Sequence, residues 1–319
     1  MKRTLLLILL IATTLAGCAG SQNPRHIRLP MGYIPNIQYA PFYVAVEKGY
    51  FAEAGFEIEF DYSFETDGVA LVGADELPFA VVSAEQVLLA RSQGIPVVYV
   101  ATWFQDFPIA AIAGTESGIE SPEDLRGQRI GLPGLFGASY IGLRALLNAG
   151  GLTEADVVME SIGFNQVEAF ASGQIPVVIG YTNNEPIQLA AQGFEVNVLA
   201  VSDAISLPAN GIITNEVIAR ENPERVAAFV GAFLRGLADV IENPEEAYDI
   251  SLAYVEGLET ADRAVQMQVL LTSIDLWRTD ELGVSDQKAW ENLQELLLEM
   301  GLMANPIDLK SAFSNEFLP

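Results

Sequence analysis

Seven short segments of this chain gather the residue types that recognise small molecules. Trp103-Phe104-Gln105-Asp106-Phe107-Pro108 sets three aromatic rings within five positions at the end of a long apolar run. Rings so placed stack on a planar partner, or supply bulk at a joint between two folded bodies. Tyr181-Thr182-Asn183-Asn184-Glu185 puts a phenol, two amides and a carboxylate in one loop. Such a set can pair with amides or hydroxyls, although asparagine also favours turns on conformational grounds alone. Tyr62-Ser63-Phe64-Glu65-Thr66 carries two more rings, of which Phe64 is the candidate contact. Asn36, Gln38 and Tyr39 follow the first strand, with Tyr39 equally able to serve as a core ring. Ser83-Ala84-Glu85 opens a helix, where serine is a natural cap and a carboxylate suits the helix dipole. In the second half of the chain, Phe136 in the Gly-bearing turn 133–139 and Asn165 in Gly163-Phe164-Asn165-Gln166 complete the set. The candidate ligand contacts are thus Asn36, Gln38, Tyr39, Phe64, Ser83, Glu85, Trp103, Phe104, Asp106, Phe136, Asn165, Tyr181, Asn183 and Glu185.

These segments contain no lysine and no arginine, while Glu85, Asp106, Glu185 and, farther along the chain, Asp203 are acids expected near the cleft. An anion held there would meet only backbone dipoles and lose its hydration with little Coulomb return. A flat, neutral, polar molecule would meet ring faces and hydrogen-bonding groups. The net charge of −26 also argues against nucleic acid, since nothing basic is available to neutralise phosphates. The turn 133–139 lacks the Lys-Ser/Thr ending of a nucleotide phosphate loop. No catalytic residue, metal or cofactor is expected. The single histidine, His26, falls in what reads as a polar tether, so no Ser-His-Asp arrangement is available, and there is no Cys/His metal spacing.

The elements that must position these residues alternate. Strands are predicted at 27–33, 56–62, 78–82, 96–104, 109–113, 129–132, 157–162, 176–180, 195–200 and 211–214. Helices fall between them at 38–48, 50–54, 69–73, 83–93, 137–149, 166–172 and 186–192. After residue 216 the pattern is helical, at 222–242, 244–255, 260–272 and 286–300. Alternation of this kind predicts an α/β fold with mainly parallel sheets flanked by helices. The order of blocks predicts a two-lobed clamshell with the ligand between the lobes. Lobe one takes residues 27–108 and returns at 210–319; lobe two is the insertion 109–209. Hinges are expected near 107–109 and 209–212. In open α/β sheets, ligands bind beyond the carboxyl ends of strands, and that rule selects the segments named above.

The first 18 residues read as an address. Lys2 and Arg3 precede an apolar run of about a dozen residues, too short for a membrane span. Leu15-Ala16-Gly17-Cys18 then resembles the lipobox of bacterial lipoprotein precursors, and Cys18 is the only cysteine. The resemblance implies removal of residues 1–17, lipid on Cys18, a tether over 18–26 and an extracytoplasmic, membrane-anchored protein. Cleavage would move the formal charge from −26 to −28 as Lys2 and Arg3 leave. With one cysteine no internal disulfide can form, so stability must come from core burial.

Two further motifs carry a family likeness. Pro41-Phe42-Tyr43-Val44-Ala45-Val46-Glu47-Lys48-Gly49-Tyr50-Phe51, followed by Gly55 and the alternating strand, resembles the segment after the first strand of type II solute-binding proteins. Ser121-Pro122-Glu123-Asp124-Leu125-Arg126-Gly127-Gln128-Arg129-Ile130-Gly131 resembles the signature opening their second lobe, with Gln128-Arg129 as a mild departure. The branch is similar to the group binding thiamine pyrimidine precursors, riboflavin and alkanesulfonates. The likeness implies capture of a small molecule and its delivery to the membrane subunits of an ABC importer. Riboflavin is favoured over a thiamine pyrimidine precursor, because many aromatic and hydroxyl-pairing groups suit a large ring with a polyol tail. Two alternatives stand beside it. One is a small anion such as an alkanesulfonate or nitrate, which would need a buried cation such as Arg144 to reach the cleft. The other is a pyrimidine-related enzyme on the same fold. Related pyrimidine synthases use a cysteine- and histidine-rich site to which this chain has nothing comparable.

Overall fold

The computed structural model describes residues 26–319. Residues 1–17 and the lipobox cysteine Cys18 lie outside the described residues. The chain begins with β1 (His26–Gly32), a 3-10 turn over Ile37–Tyr39, α1 (Ala40–Glu47) and α2 (Tyr50–Glu53). His26 is therefore a strand residue and not part of a tether. It pairs with Glu57 in the strand register, and its ring lies 3.3 Å from the Glu59 carboxylate. Next come β2 (Glu57–Phe64), α3 (Glu65–Gly73), β3 (Ala80–Ser83), α4 (Ala84–Ser92) and β4 (Val97–Thr102). The acid positions Glu57 and Glu59 of β2 are exposed, while Ile58 and Phe60 face inward, as period-two alternation requires.

The chain then crosses to a second body with β5 (Ile109–Gly114), β6 (Arg129–Leu132), α5 (Gly137–Ala149), β7 (Val158–Ser161), α6 (Gln166–Ala171), β8 (Val177–Tyr181), α7 (Glu185–Ala191) and β9 (Val196–Ala200). It crosses back into β10 (Asn210–Asn215) and ends in α8 (Glu216–Glu221), α9 (Pro223–Glu242), α10 (Pro244–Ser251), α11 (Arg263–Trp277) and α12 (Gln287–Glu299). The helix expected at 69–73 starts four residues earlier, at Glu65, directly off the end of β2. The helix expected at 260–272 is displaced to α11, where the Asp262 carboxylate caps the backbone N–H of Ala264 at 2.8 Å.

The first lobe holds the parallel pair β1–β2 and the sheet β3-β10-β4; the second holds β7-β6-β8-β5-β9. Strand directions follow from the crossings. Within each of the larger sheets all strands but one run the same way. The exceptions are β10 and β5, each antiparallel to both its neighbours. Each is the first strand after a crossing. A chain that leaves one lobe at its cleft edge must enter the other at the cleft edge, so it runs opposite to strands that end there. The crossings touch: the backbone N–H groups of Trp103 and Phe104 both donate to the carbonyl of Asn210, at 2.9 and 3.1 Å.

All residues of β4, β5 and β10 are buried. In β5 the faces divide: Ile109, Ala111 and Ala113 join the main core, while Ile112 packs with Phe170, Val178 and Leu189 in a smaller core. The long amphipathic α9 closes the first lobe against α1, with Phe233 on Phe42 at 4.6 Å between ring centroids. No described helix is long and apolar enough to cross a membrane.

Candidate functional site

Between the lobes lies a cleft walled by eight aromatic side chains. The first lobe supplies Tyr33, Tyr39, Phe64, Trp103 and Phe104; the second supplies Phe136, Phe164 and Tyr181. It encloses about 100 Å³ open to the centre of a water molecule. A buried water needs roughly 10–15 Å³ on that measure, so the space suits an organic ring system better than a water or two. Large, apolar, concave sites with a few convergent polar groups are where small molecules bind.

The rings are fixed by their neighbours. Trp103 sits 5.4 Å from Tyr39 and 5.7 Å from Trp277, centroid to centroid, and its indole N–H has no acceptor among the described residues. The Tyr39 hydroxyl donates to the Met31 carbonyl at 2.6 Å. At the mouth, Phe64 meets Phe136 edge-on at 5.8 Å, and Tyr33 meets Phe164 edge-on at 4.7 Å. These contacts join the two lobes, so the structure has the cleft closed. Phe64 and Phe136 are each half-exposed, which puts them at the rim.

Two carboxyls face the rings. Glu185, buried, starts α7; its Oε2 accepts from the backbone N–H of Tyr181 at 2.7 Å and its Oε1 from Asn184 Nδ2 at 3.1 Å. Burial pushes its carboxyl up to about 7. Glu65 starts α3, and its Oε1 accepts from Asn210 Nδ2 at 3.3 Å. Burial first, and the neighbouring Glu85 second, raise its carboxyl to about 8. The backbone makes room for both acids. A Cβ on Gly32 would stand 2.6 Å from Glu65 Cγ, and one on Gly180 2.6 Å from Glu185 Oε2. The Tyr181 hydroxyl donates to Asn210 Oδ1 at 3.2 Å, tying the second lobe to the first.

Gln38, Tyr39, Phe64, Trp103, Phe104, Phe136, Tyr181 and Glu185 all line this cleft. Six other candidates do not. Asn36 caps the 3-10 turn, accepting from the Gln38 backbone N–H at 3.0 Å. Asn165 donates to the Ile162 carbonyl at 2.9 Å, and Asp106 is exposed on the crossing. Asn183 is fully buried and donates to Gln38 Oε1 at 2.8 Å and to Ser273 Oγ at 2.6 Å, a bond between lobes. Ser83 occupies the cap position of α4 but makes no cap bond; its hydroxyl is spent on Glu65 and Glu85, one hydrogen bond back from the wall. Glu85, the sixth, is fully buried behind Ser83 and does not line the cleft, and the further acid Asp203 is exposed outside it.

The lining also includes Tyr33, Glu65, Gln86, Phe164, Asn184 and Asn210, which the sequence reading did not select. Five of these stand in or beside segments it did single out. Asn210 is different: it lies at the amino end of a reversed strand, where a rule built on carboxyl ends does not look.

Among the described residues, no lysine, arginine or histidine lines the cleft. Arg144, the cation an anion would have needed, points elsewhere: it binds Glu154 at 2.7 Å and the Met300 carbonyl at 3.3 Å.

The NMT1/THI5 like family matches residues 36–247 of this chain. The chain belongs to that family. Among curated relatives, this NMT1/THI5-like protein is 46% identical to the riboflavin-binding protein RibY of Chloroflexus aurantiacus, over 92% of this chain and 86% of that one. It is 28% identical to the formylaminopyrimidine-binding protein of Halalkalibacterium halodurans, over 98% and 96% of the two chains. Relatives near 24% identity are named 4-amino-5-hydroxymethyl-2-methylpyrimidine phosphate synthases. In structure the NMT1/THI5-like chain is similar to the alkanesulfonate-binding protein SsuA of Xanthomonas axonopodis, with a TM-score of 0.71 at 15% identity, covering 92% of this chain and 99% of that one. The fold is the two-lobed periplasmic-binding-protein clamshell.

Proposed function

We propose that this protein is the substrate-binding component of an ABC-type importer, that it closes on a flat neutral heterocycle, and that riboflavin is the first ligand to test. One observation carries the reading: eight rings from both lobes wall a cleft that has carboxyls and amides but, among the described residues, no cation. Aromatic faces suit a planar ring system. Glu65, Glu185, Gln38, Asn184 and Asn210 supply donors and acceptors for ring amides and hydroxyls. The riboflavin-binding and formylaminopyrimidine-binding relatives support the same class of ligand. We read the protein as a binder and not a synthase, in line with its riboflavin-binding and formylaminopyrimidine-binding relatives. The lipobox at Cys18 supports anchoring to the outer face of the membrane, where the cleft would load and hand its ligand to the permease subunits.

Titration of purified protein with riboflavin, monitored by tryptophan emission, tests this directly. Trp103 lies in the wall and should be quenched by a stacked flavin. A response to riboflavin or to an aminopyrimidine, and none to taurine or nitrate, is the expected result. Tight binding of taurine or nitrate with no response to either heterocycle would overturn it. For anchoring, Cys18→Ala expressed with its own leader should move from the detergent phase to the aqueous phase on partitioning; unchanged partitioning would remove that claim.

A further inference from the structure

The Ser83 hydroxyl stands within hydrogen-bond reach of two carboxyls, Oε2 of Glu65 and Oε1 of Glu85. A hydroxyl has one hydrogen to give. If it donates to one carboxylate, the other carboxyl can approach its oxygen only as an acid that donates in turn. Otherwise lone pair faces lone pair. Side-chain donors reach one of the two remaining oxygens, Glu65 Oε1, and add a second donor to Glu85 Oε1; backbone N–H groups of Ser83 and Glu85 lie beside the two carboxyls. Glu65 Oε1 accepts from Asn210 Nδ2, and Glu85 Oε1 accepts from Gln86 Nε2 at 3.2 Å. Glu85 Oε2 has no donor among the described residues, and Glu85 is fully buried. The titratable groups that face the pair are phenols: Tyr39 ahead of α1, Tyr99 on β4 and Tyr181 on β8, with Glu185 at the head of α7 on the far side of Tyr181. Among the described residues, no lysine, arginine or histidine lines the cleft beside them.

We infer that Glu65 and Glu85 hold one proton between them through Ser83, so that the closed cleft is a binding site for a proton as well as for its ligand. A second negative charge there would be buried without a counterion. Burial pushes both carboxyls upward, consistent with this arrangement. The pair is linked to closure, because Tyr181 of the second lobe donates to Asn210, and Asn210 donates to Glu65. With the lobes apart, water reaches Glu65 and the proton is held less firmly. Closing on a neutral ligand therefore takes a proton from solvent at neutral to mildly alkaline pH. Only the choice of ligand rests on the function proposed above.

The infrared absorption of protonated carboxyl groups, recorded from pH 5.5 to pH 9 on the full chain without ligand, tests the shared proton, and calorimetry is then run above the pH at which that ligand-free band is half lost. Wild type should show a band that Glu65→Gln and Glu85→Gln each lose, beyond the share of Glu185 measured with Glu185→Gln. A wild type lacking it, or a band unchanged in both variants, overturns the inference. Calorimetry with riboflavin in buffers of different ionisation heat then reads the linkage. Uptake approaching one proton, with affinity falling up to tenfold per pH unit and uptake cut in Glu85→Gln, supports it. Riboflavin binding without proton uptake, or uptake lost only in Glu185→Gln, overturns it while leaving the ligand class intact. If the infrared band behaves as expected but riboflavin does not bind, the proton site stands and the choice of riboflavin fails.

Discussion

Tyr181 and Glu185 sit four residues apart and illustrate two different demands on a buried polar group. The Tyr181 hydroxyl bridges the lobes through Asn210, so Tyr181→Phe keeps the ring and removes only that bond. We expect riboflavin affinity to fall by about 1 kcal/mol, the usual net worth of such a bond, with little change in the far-ultraviolet spectrum; an affinity equal to wild type would mean the bridge plays no part in closure. Glu185 makes a pH prediction. Its carboxyl is raised from 4.5 to about 7 in the folded protein, with burial as the cause. Below pH 4.5 both folded and unfolded chains carry the proton and no penalty applies. As pH rises toward 7 the unfolded chain releases its proton first, so the fold loses stability, and the loss is complete above the folded value. Thermal unfolding of Glu185→Gln should therefore shift in the variant's favour, relative to wild type, between pH 5 and pH 8. A difference in melting temperature that is the same at both pH values would contradict this.

At the scale of elements, two strand–helix junctions place the acids. β2 runs straight into α3 at Glu65, and β3 straight into α4 at Ala84. The first junction needs a glycine opposite. Gly32 has φ +79° and lies against Glu65, so Gly32→Ala should cost about 1–3 kcal/mol from backbone strain alone. The check is a lower urea midpoint with an unchanged slope; an unaltered midpoint would show that the turn can relax. The same junction explains what could and could not be read from the sequence. Strands and helices of strong periodicity stand where the pattern puts them, and so do the aromatic segments at the cleft. Phe64 was legible as a rim residue, but Glu65 was not, because its segment reads as a loop and only packing makes it the first turn of α3. Asn183 and Asn184 read alike in sequence. One is a bond between lobes and the other lines the cleft, a distinction set by which side of the loop faces Ser273. Asn210 required the direction of β10, which no local pattern carries.

For the whole molecule we assign residues 109–209 to the second lobe and the rest of the described chain to the first, with hinges in the crossings 103–108 and 201–209. Asn183 then acts as a latch, since its amide reaches Gln38 and Ser273 in the opposite lobe. Asn183→Ala should leave the lobes more open: solution scattering with saturating riboflavin should show a larger radius of gyration than wild type, and riboflavin should dissociate faster. Ligand shifts such an equilibrium only by its differential affinity for the closed state, so equal radii for the two proteins would remove the latch. The reversed strands have one more consequence. Because both crossings enter at the cleft edge, Phe104 and Asn210 belong at once to the wall and to the joint. A lineage drifting toward a new ligand cannot alter those two positions without also changing how stiffly the molecule bends. Phe136 and Phe164, on second-lobe loops remote from either crossing, carry no such burden. Divergence in specificity should therefore collect on the second lobe's rim, while the hinge side of the cleft stays as it is.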